Sequence, residues 1–320
     1  MNRRHVVLVS YGEPPTPAFS AQFGYSFRIL QGLTRIIAAI PAVLLPVIAF
    51  ARARGRRRWW RARGYGSPLE AITAAQADRV RSALEGMDRN VAWTAHVAYE
   101  FRKPLLETRL RGLPPDEPVW VVPMYAADSA FTHALSRQVA SRVNATGPRA
   151  APIRVLPALD PETLAALSAE HVLNQLSQTG FEASSTALIL AAHGTLLEPQ
   201  KPIDTGLEST ERLRRAIASR LAPAFGAVTH GWLNHARGGR WTEPAMEVAL
   251  RAVLDAGHRR AVYFPYGFLA DNAETQLEGR VIAEGLPQLD VRFLSCLNDS
   301  TALAEAIAVQ VEESGPASAR

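Results

Sequence analysis

The feature that most constrains this chain is that it repeats itself. His5-Val6-Val7-Leu8-Val9-Ser10 and Ala187-Leu188-Ile189-Leu190-Ala191-Ala192 are short aliphatic runs that each end in a turn, Tyr11-Gly12-Glu13-Pro14 in one and His193-Gly194 in the other. Val119-Trp120-Val121-Val122-Pro123-Met124-Tyr125 echoes Ala261-Val262-Tyr263-Phe264-Pro265-Tyr266. Ile153-Arg154-Val155-Leu156, with Asp160 beyond it, echoes Val291-Arg292-Phe293-Leu294, followed by Asn298 and Asp299. Val91 to Tyr99 and Ala227 to Leu233 complete the sets, so each half offers four apolar strands in matching order. The segments from Pro68 to Leu84 and from Thr242 to Ala256 carry apolar residues at three- and four-residue spacing, and Ser209 to Leu221 is a charged version. Strands alternating with helices predict an α/β chain of two parallel sheets with helices on both faces. The halves are expected at 1–155 and 156–320, with a last helix from Thr301 to Glu313 packing back across the boundary.

The repeat is unequal. Residues 6 and 91 stand 85 apart, whereas residues 187 and 227 stand 40 apart, and the excess lies largely in an apolar-basic segment at about 25–64. Its core, Ile36 to Ala51, is preceded by Arg35 and followed by Arg52, Arg54, Arg56, Arg57 and Arg58. This run falls short of the roughly 20 residues of a spanning helix, and it starts too late for a signal peptide. Pro41 and Pro46 interrupt it and predict short helices. An insertion after the first strand sits at the carboxyl edge of its sheet, where open α/β sheets bind ligands. A lip over that edge with an interfacial apolar face is expected, and a plain surface helix is the alternative.

With 320 residues, 48% hydrophobic and 20% charged, the chain has globular composition and enough mass for a core without staples. Cys296 is the one cysteine, which excludes an internal disulfide framework, a Cys-rich zinc site and an iron–sulfur cluster held wholly by this chain. The net charge is +5, but only Lys103 and Lys201 are lysines among 35 basic residues. Such an arginine bias reflects overall composition as much as function, and no nucleic-acid partner is expected.

Two residues at strand ends carry acid–base chemistry. His193 closes the first strand of the second half, and a neutral imidazole there can ligate a metal or move protons near neutral pH. Taken alone, it also reads as a satisfied histidine at a strand-to-helix turn. Glu274 follows the third strand of the same half; Asp271 three residues earlier suggests a capping arrangement, and Glu278 shares a helix face with it. Histidine plus carboxylate suits a divalent first-row metal.

Together these residues resemble the ferrochelatase family over nearly the whole chain. The opening strand Leu8-Val9-Ser10-Tyr11-Gly12-Glu13-Pro14 is similar to the family's, as are Gly66-Ser67-Pro68-Leu69 with Thr73 and Gln76, Pro123-Met124-Tyr125, Ala191-Ala192-His193-Gly194 and Trp241-Thr242-Glu243-Pro244. The most specific block is Gly267, Phe268, Asp271, Glu274 and Thr275. The resemblance implies two Rossmann-like domains with a porphyrin cleft between them, and insertion of Fe2+ as a substrate without an organic cofactor or iron–sulfur cluster. It implies His193 and Glu274 as the metal pair, Asp271 and Glu278 as acidic partners in proton removal, and Tyr11, Arg102, Tyr125 and Trp241 as cleft residues. Tyr11 is the residue that coproporphyrin-using members often carry, against leucine in protoporphyrin enzymes.

The chain also departs from the family. Asn272 stands where a histidine is usual, and Glu100 stands where the second strand carries arginine, with Arg102 expected to point the same way two residues on. Lys201-Pro202-Ile203-Asp204-Thr205 replaces a Gly-Asp-Pro-Tyr element. The expected function is ferrochelation in haem synthesis on coproporphyrin III or protoporphyrin IX. Alternatives are a cobalt or nickel chelatase of a sirohydrochlorin-type tetrapyrrole, a non-catalytic tetrapyrrole or haem carrier, and, with least support, a periplasmic-type binding protein. A monomer or homodimer in the cytoplasm, with peripheral contact at the inner face of the plasma membrane, is expected.

Overall fold

Each half folds as its alternating pattern predicts. The computed structural model describes residues 2–36, 40–147, 149–199, 201–234 and 239–315. The first half contains β1 (Asn2–Ser10), α1 (Phe19–Ile36), α2 (Leu45–Ala62), α3 (Leu69–Met87), β2 (Val91–Tyr99), α4 (Leu106–Arg111), β3 (Val119–Pro123), α5 (His133–Thr146) and β4 (Ile153–Val155). The second contains α6 (Pro161–Leu176), β5 (Ala187–His193), α7 (Leu207–Leu221), β6 (Ala227–Leu233), α8 (Met246–Asp255), β7 (Arg260–Phe264), a π-turn (Glu274–Glu278) running into α9 (Gly279–Glu284), β8 (Asp290–Phe293) and α10 (Thr301–Glu313).

The sheets have the orders β2-β1-β3-β4 and β6-β5-β7-β8, with every pairing parallel. The repeat in the sequence is thus a repeat in topology. The central strands are apolar on both faces, as parallel strands covered by helices must be: Val6 to Val9 and Ala187 to Ala192 are buried throughout. One continuous apolar cluster joins Val6 and Leu8 of β1 to Leu188 and Leu190 of β5 and to Leu303 and Ile307 of α10. Smaller clusters fill the other face of each sheet. Helix α10, capped by the Ser300 hydroxyl, packs on α3, and Ser314 beyond it accepts a 2.8 Å bond from the Trp120 indole.

The lip differs from its sequence reading. It is a hairpin of two 18-residue helices beginning at Phe19. Pro41 and Pro46 flank the connecting 3-10 turn, Ala42–Leu44, rather than breaking the segment into short helices. Pro46 falls in the first turn of α2, where its missing N–H removes no helical bond. Residues 37–39 of the apolar run lie outside the described residues. Leu30, Leu45 and Ala49 form the hairpin's core, whereas Val43, Leu44, Val47 and Phe50 at its tip face solvent. Its base is anchored to the second half, because Trp60 is fully buried against Ala273 and Leu277 and Arg63 makes a bidentate ion pair with Glu284 of α9.

Candidate active site

Parallel pairing brings the C-terminal ends of β5, β6 and β7 to one edge, and the second half's polar groups gather there. His193 is the last residue of β5 and lies opposite Leu233. Its Nδ1 is 2.6 Å from the Gly194 carbonyl. A carbonyl can only accept, so Nδ1 carries the hydrogen and a neutral ring keeps its lone pair on Nε2. Nε2 lies 3.8 Å from Glu274 Oε2. His193 is about half exposed (49%), whereas Glu274 is more enclosed (26%), and its Oε2 has no hydrogen-bond partner among the described residues. The pair therefore meets on one wall of the cleft rather than across it, as an open donor set with one unused carboxylate oxygen.

Close packing fixes this wall. A Cβ on Gly267 would come within 2.8 Å of the Ala192 Cβ, so glycine lets the β7 loop lie against the end of β5. Thr242 exchanges hydrogen bonds with Thr195 (Thr195 N–H to Thr242 Oγ1 at 3.1 Å, Thr242 N–H to the Thr195 carbonyl at 3.0 Å), and Trp241 pairs with Leu196. Trp241 thus stands beside the loop that follows His193.

Helical capping here is not the Asp271–Glu274 arrangement expected from spacing. The Asn272 carboxamide oxygen accepts from the N–H groups of Glu274 (2.8 Å) and Thr275 (3.4 Å), and the Thr275 hydroxyl accepts from the Asn272 N–H (3.0 Å). Asn272 is buried, and it caps the π-turn where the family's histidine would stand. Asp271 is turned to the β8–α10 loop, where its carboxylate accepts from the Cys296 N–H and the Asn298 amide, each at 2.9 Å. Glu278 stays with the site: burial and then the Glu274 charge raise its pKa, and its Oε1 accepts from the Asn234 N–H.

Sequence reading did not single out Asn234. Its amide nitrogen lies 2.9 Å from His193 Nε2 and 3.3 Å from Glu274 Oε1. Its backbone is left-handed, with φ +56°, a conformation asparagine tolerates better than most residues. The only signal was position, the residue directly after β6 and beside His193 in register.

The opposite wall comes from the first half. Tyr11, Thr73, Gln76 and Tyr125 line a cavity between the halves together with Gly267 and Phe268; His193 and Glu274 stand outside its lining. The Tyr125 hydroxyl donates to Glu100 at 2.9 Å, and burial pushes the Glu100 carboxyl up to about 8. The wall therefore presents a neutral acid at neutral pH where the family carries a cation. Strand β2 ends at Tyr99, so the alternation expected to align Arg102 with Glu100 does not extend that far; Arg102 pairs instead with Glu70. Glu13 crosses between halves: its carboxylate accepts from the Ala273 N–H at 3.0 Å, and Arg56 of the lip lies 3.9 Å from its other oxygen.

Fold and site together define a duplicated α/β metal chelatase. The family model for ferrochelatase matches residues 3–315, and the chain belongs to the ferrochelatase family. It is 26% identical to a ferrochelatase of Synechococcus sp. (strain RCC307), over 93% of this chain and 82% of that one. To a ferrochelatase of Nitrobacter hamburgensis it is 28% identical, over 92% and 88% of the two chains. Among solved structures it resembles SirB from Bacillus subtilis with Fe3+, with a TM-score of 0.51 and 14% identity over 98% of this chain and 95% of that one. It also resembles CbiX, the terminal enzyme for biosynthesis of sirohaem in denitrifying bacteria, with a TM-score of 0.50 and 20% identity over 97% and 99%. These two likenesses establish the chelatase fold. Among the described residues, no helix is long and apolar enough to cross a membrane.

Proposed function

We propose that the chain inserts ferrous iron into a porphyrin, coproporphyrin III or protoporphyrin IX, in haem biosynthesis, with no organic cofactor. The observation that carries this reading is the His193–Glu274 pair, a nitrogen lone pair and an unpartnered carboxylate oxygen 3.8 Å apart at an open strand edge. Insertion requires a site that holds iron weakly enough to yield it to four ring nitrogens, and that accepts the two protons they lose. An open imidazole–carboxylate set meets the first need better than a closed thiolate set. For the second, His193 Nε2 can act as a base once the Asn234 amide turns away, and Glu274 and Glu278 follow it along the π-turn, with burial raising the pKa of Glu278. Asp271 supports the π-turn from beneath through its bonds to the β8–α10 loop. Tyr11, Tyr125 and Trp241 are assigned to the macrocycle, whereas Arg102, paired with Glu70, is available to a carboxylate only when that pair opens.

Anaerobic incubation with Fe2+ and each porphyrin, followed by loss of the free-base absorption spectrum, tests the reading. His193→Ala is expected to lower turnover at least a hundredfold while porphyrin affinity stays within about threefold, because a flat apolar ligand gains its affinity from buried area. Turnover that survives His193→Ala would overturn the assignment. A second reading is cobalt or nickel insertion into a sirohydrochlorin-type tetrapyrrole. The same assay with Co2+ or Ni2+ and a sirohydrochlorin decides against it if no cobalt or nickel product forms.

A further inference from the structure

Resting on the metal pair assigned above, we propose that Asn234 is a third ligand to the incoming metal, its amide turning from hydrogen-bond donor to oxygen ligand as the ion binds. Among the described residues, no three His, Cys, Asp or Glu side chains gather to hold a metal. The Asn234 amide nitrogen reaches both members of the pair, at 2.9 Å from His193 Nε2 and 3.3 Å from Glu274 Oε1.

The chemistry of the contacts fixes the orientation of the amide. Because His193 Nδ1–H is given to the Gly194 carbonyl, Nε2 offers only a lone pair, and a carboxylate likewise only accepts. The amide must therefore point its NH2 inward and donate one hydrogen to each. A cation between Nε2 and the carboxylate reverses that preference, since the NH2 would then face positive charge. Rotating the amide by half a turn exchanges two groups of nearly equal size and brings Oδ1, a hard oxygen donor, to the ion. Donors of nitrogen, carboxylate and amide oxygen suit a first-row divalent metal.

The backbone supplies the pivot. The Asn234 N–H is held by Glu278 and its φ is +56°, so the Cα–Cβ bond is fixed while the exposed amide remains free to turn. An aspartate here would face Glu274 and Glu278 as a third negative charge in the empty site, and would bind the metal too tightly to release it. A neutral amide does neither.

Titration with Co2+ alone, followed by visible absorption and calorimetry, tests this. Asn234→Gly keeps the left-handed backbone and removes the amide, and Asn234→Asp keeps the shape and adds charge. We expect the His193-dependent Co2+ affinity to fall at least about tenfold with shifted bands in the glycine variant. We expect it to rise by a similar factor in the aspartate variant, with slower porphyrin metallation. Affinities within twofold of wild type and an unchanged spectrum in both variants would overturn the inference and leave the metal pair standing. Wild-type protein lacking any His193-dependent cobalt band would remove the pair itself, and the third ligand with it.

Discussion

Trp60 of the lip is seated against Leu277 of the π-turn, and its indole is wholly buried. Helix α2 and the helical turn that carries Glu274 and Glu278 are thereby one packed unit. Trp60→Ala is expected to cost about 3–5 kcal/mol locally, the range for deleting a buried tryptophan. Helix α2 ends in Arg56-Arg57-Arg58 and Arg61 around this anchor, so undocking it exposes trypsin sites. Limited proteolysis should cut the variant within α2 at least tenfold faster than the wild type, with the remaining chain resistant. Equal cleavage rates would mean that the anchor is dispensable.

Asn272 acts through its hydrogen bonds rather than as a proton carrier. Asn272→Ala removes the cap of the π-turn and is expected to cost about 1–2 kcal/mol. Asn272→Ser, which can still accept at a cap, should recover most of that loss in urea denaturation. Stability unaffected by Asn272→Ala would show that the cap is not needed, and Glu278→Gln should slow turnover without a matching loss of stability.

Glu100 predicts a pH dependence of known sign. Its folded carboxyl titrates at about 8, against an ordinary value of 4.5. Its contribution to stability is full below about pH 4.5 and is lost as pH rises towards 8. Glu100→Gln is expected to match the wild type near pH 4.5 and to exceed it by about 2 kcal/mol or more at pH 9, at about 1.4 kcal/mol per pH unit of displacement. Urea midpoints of the two proteins at both pH values measure this. A difference that does not grow with pH would place the Glu100 carboxyl in contact with water.

The hairpin tip should bind anionic membrane surfaces. Val43, Val47 and Phe50 are exposed on one end of a helix pair whose second member continues into arginines. Each basic residue near an anionic surface contributes on the order of 1 kcal/mol, and a buried Phe about 1.5–3 kcal/mol. Replacing Val47 and Phe50 with Ser should weaken binding to phosphatidylglycerol vesicles at least tenfold, and raised salt should weaken the wild type. Leu45 is unsuitable for this test because it lies in the hairpin's own core. Vesicle binding indifferent to both changes would leave the tip as bare surface.

Much of this architecture was legible in the sequence because its determinants are local. Runs such as Ala187 to Ala192 and the spacing within Leu69 to Met87 state their own period, and the repeat of strand order fixed the pairing of elements. That His193 and Glu274 come together at one strand edge was legible through short motifs at strand ends. Asn234, the Trp60 anchor and the Glu13 bond to Ala273 were not, because each joins residues distant in sequence and none leaves a local pattern. The prolines misled for a related reason: Pro41 and Pro46 mark a helix boundary as readily as a break, and only the packing of α1 on α2 decides which.

The apolar layer common to both sheets bears on how far the two halves could ever move apart. Val6 and Leu8 share one dry interior with Leu188 and Leu190, and α10 is laid across the seam. Parting the halves like a book would wet that interior, at roughly 25 cal/mol for every square ångström exposed. The two sheets are therefore held on one shared spine, whereas the helical hairpin has a small core of its own outside it. The Arg63–Glu284 bridge, at the end of α2, is thus one of the ties between that hairpin and the second half.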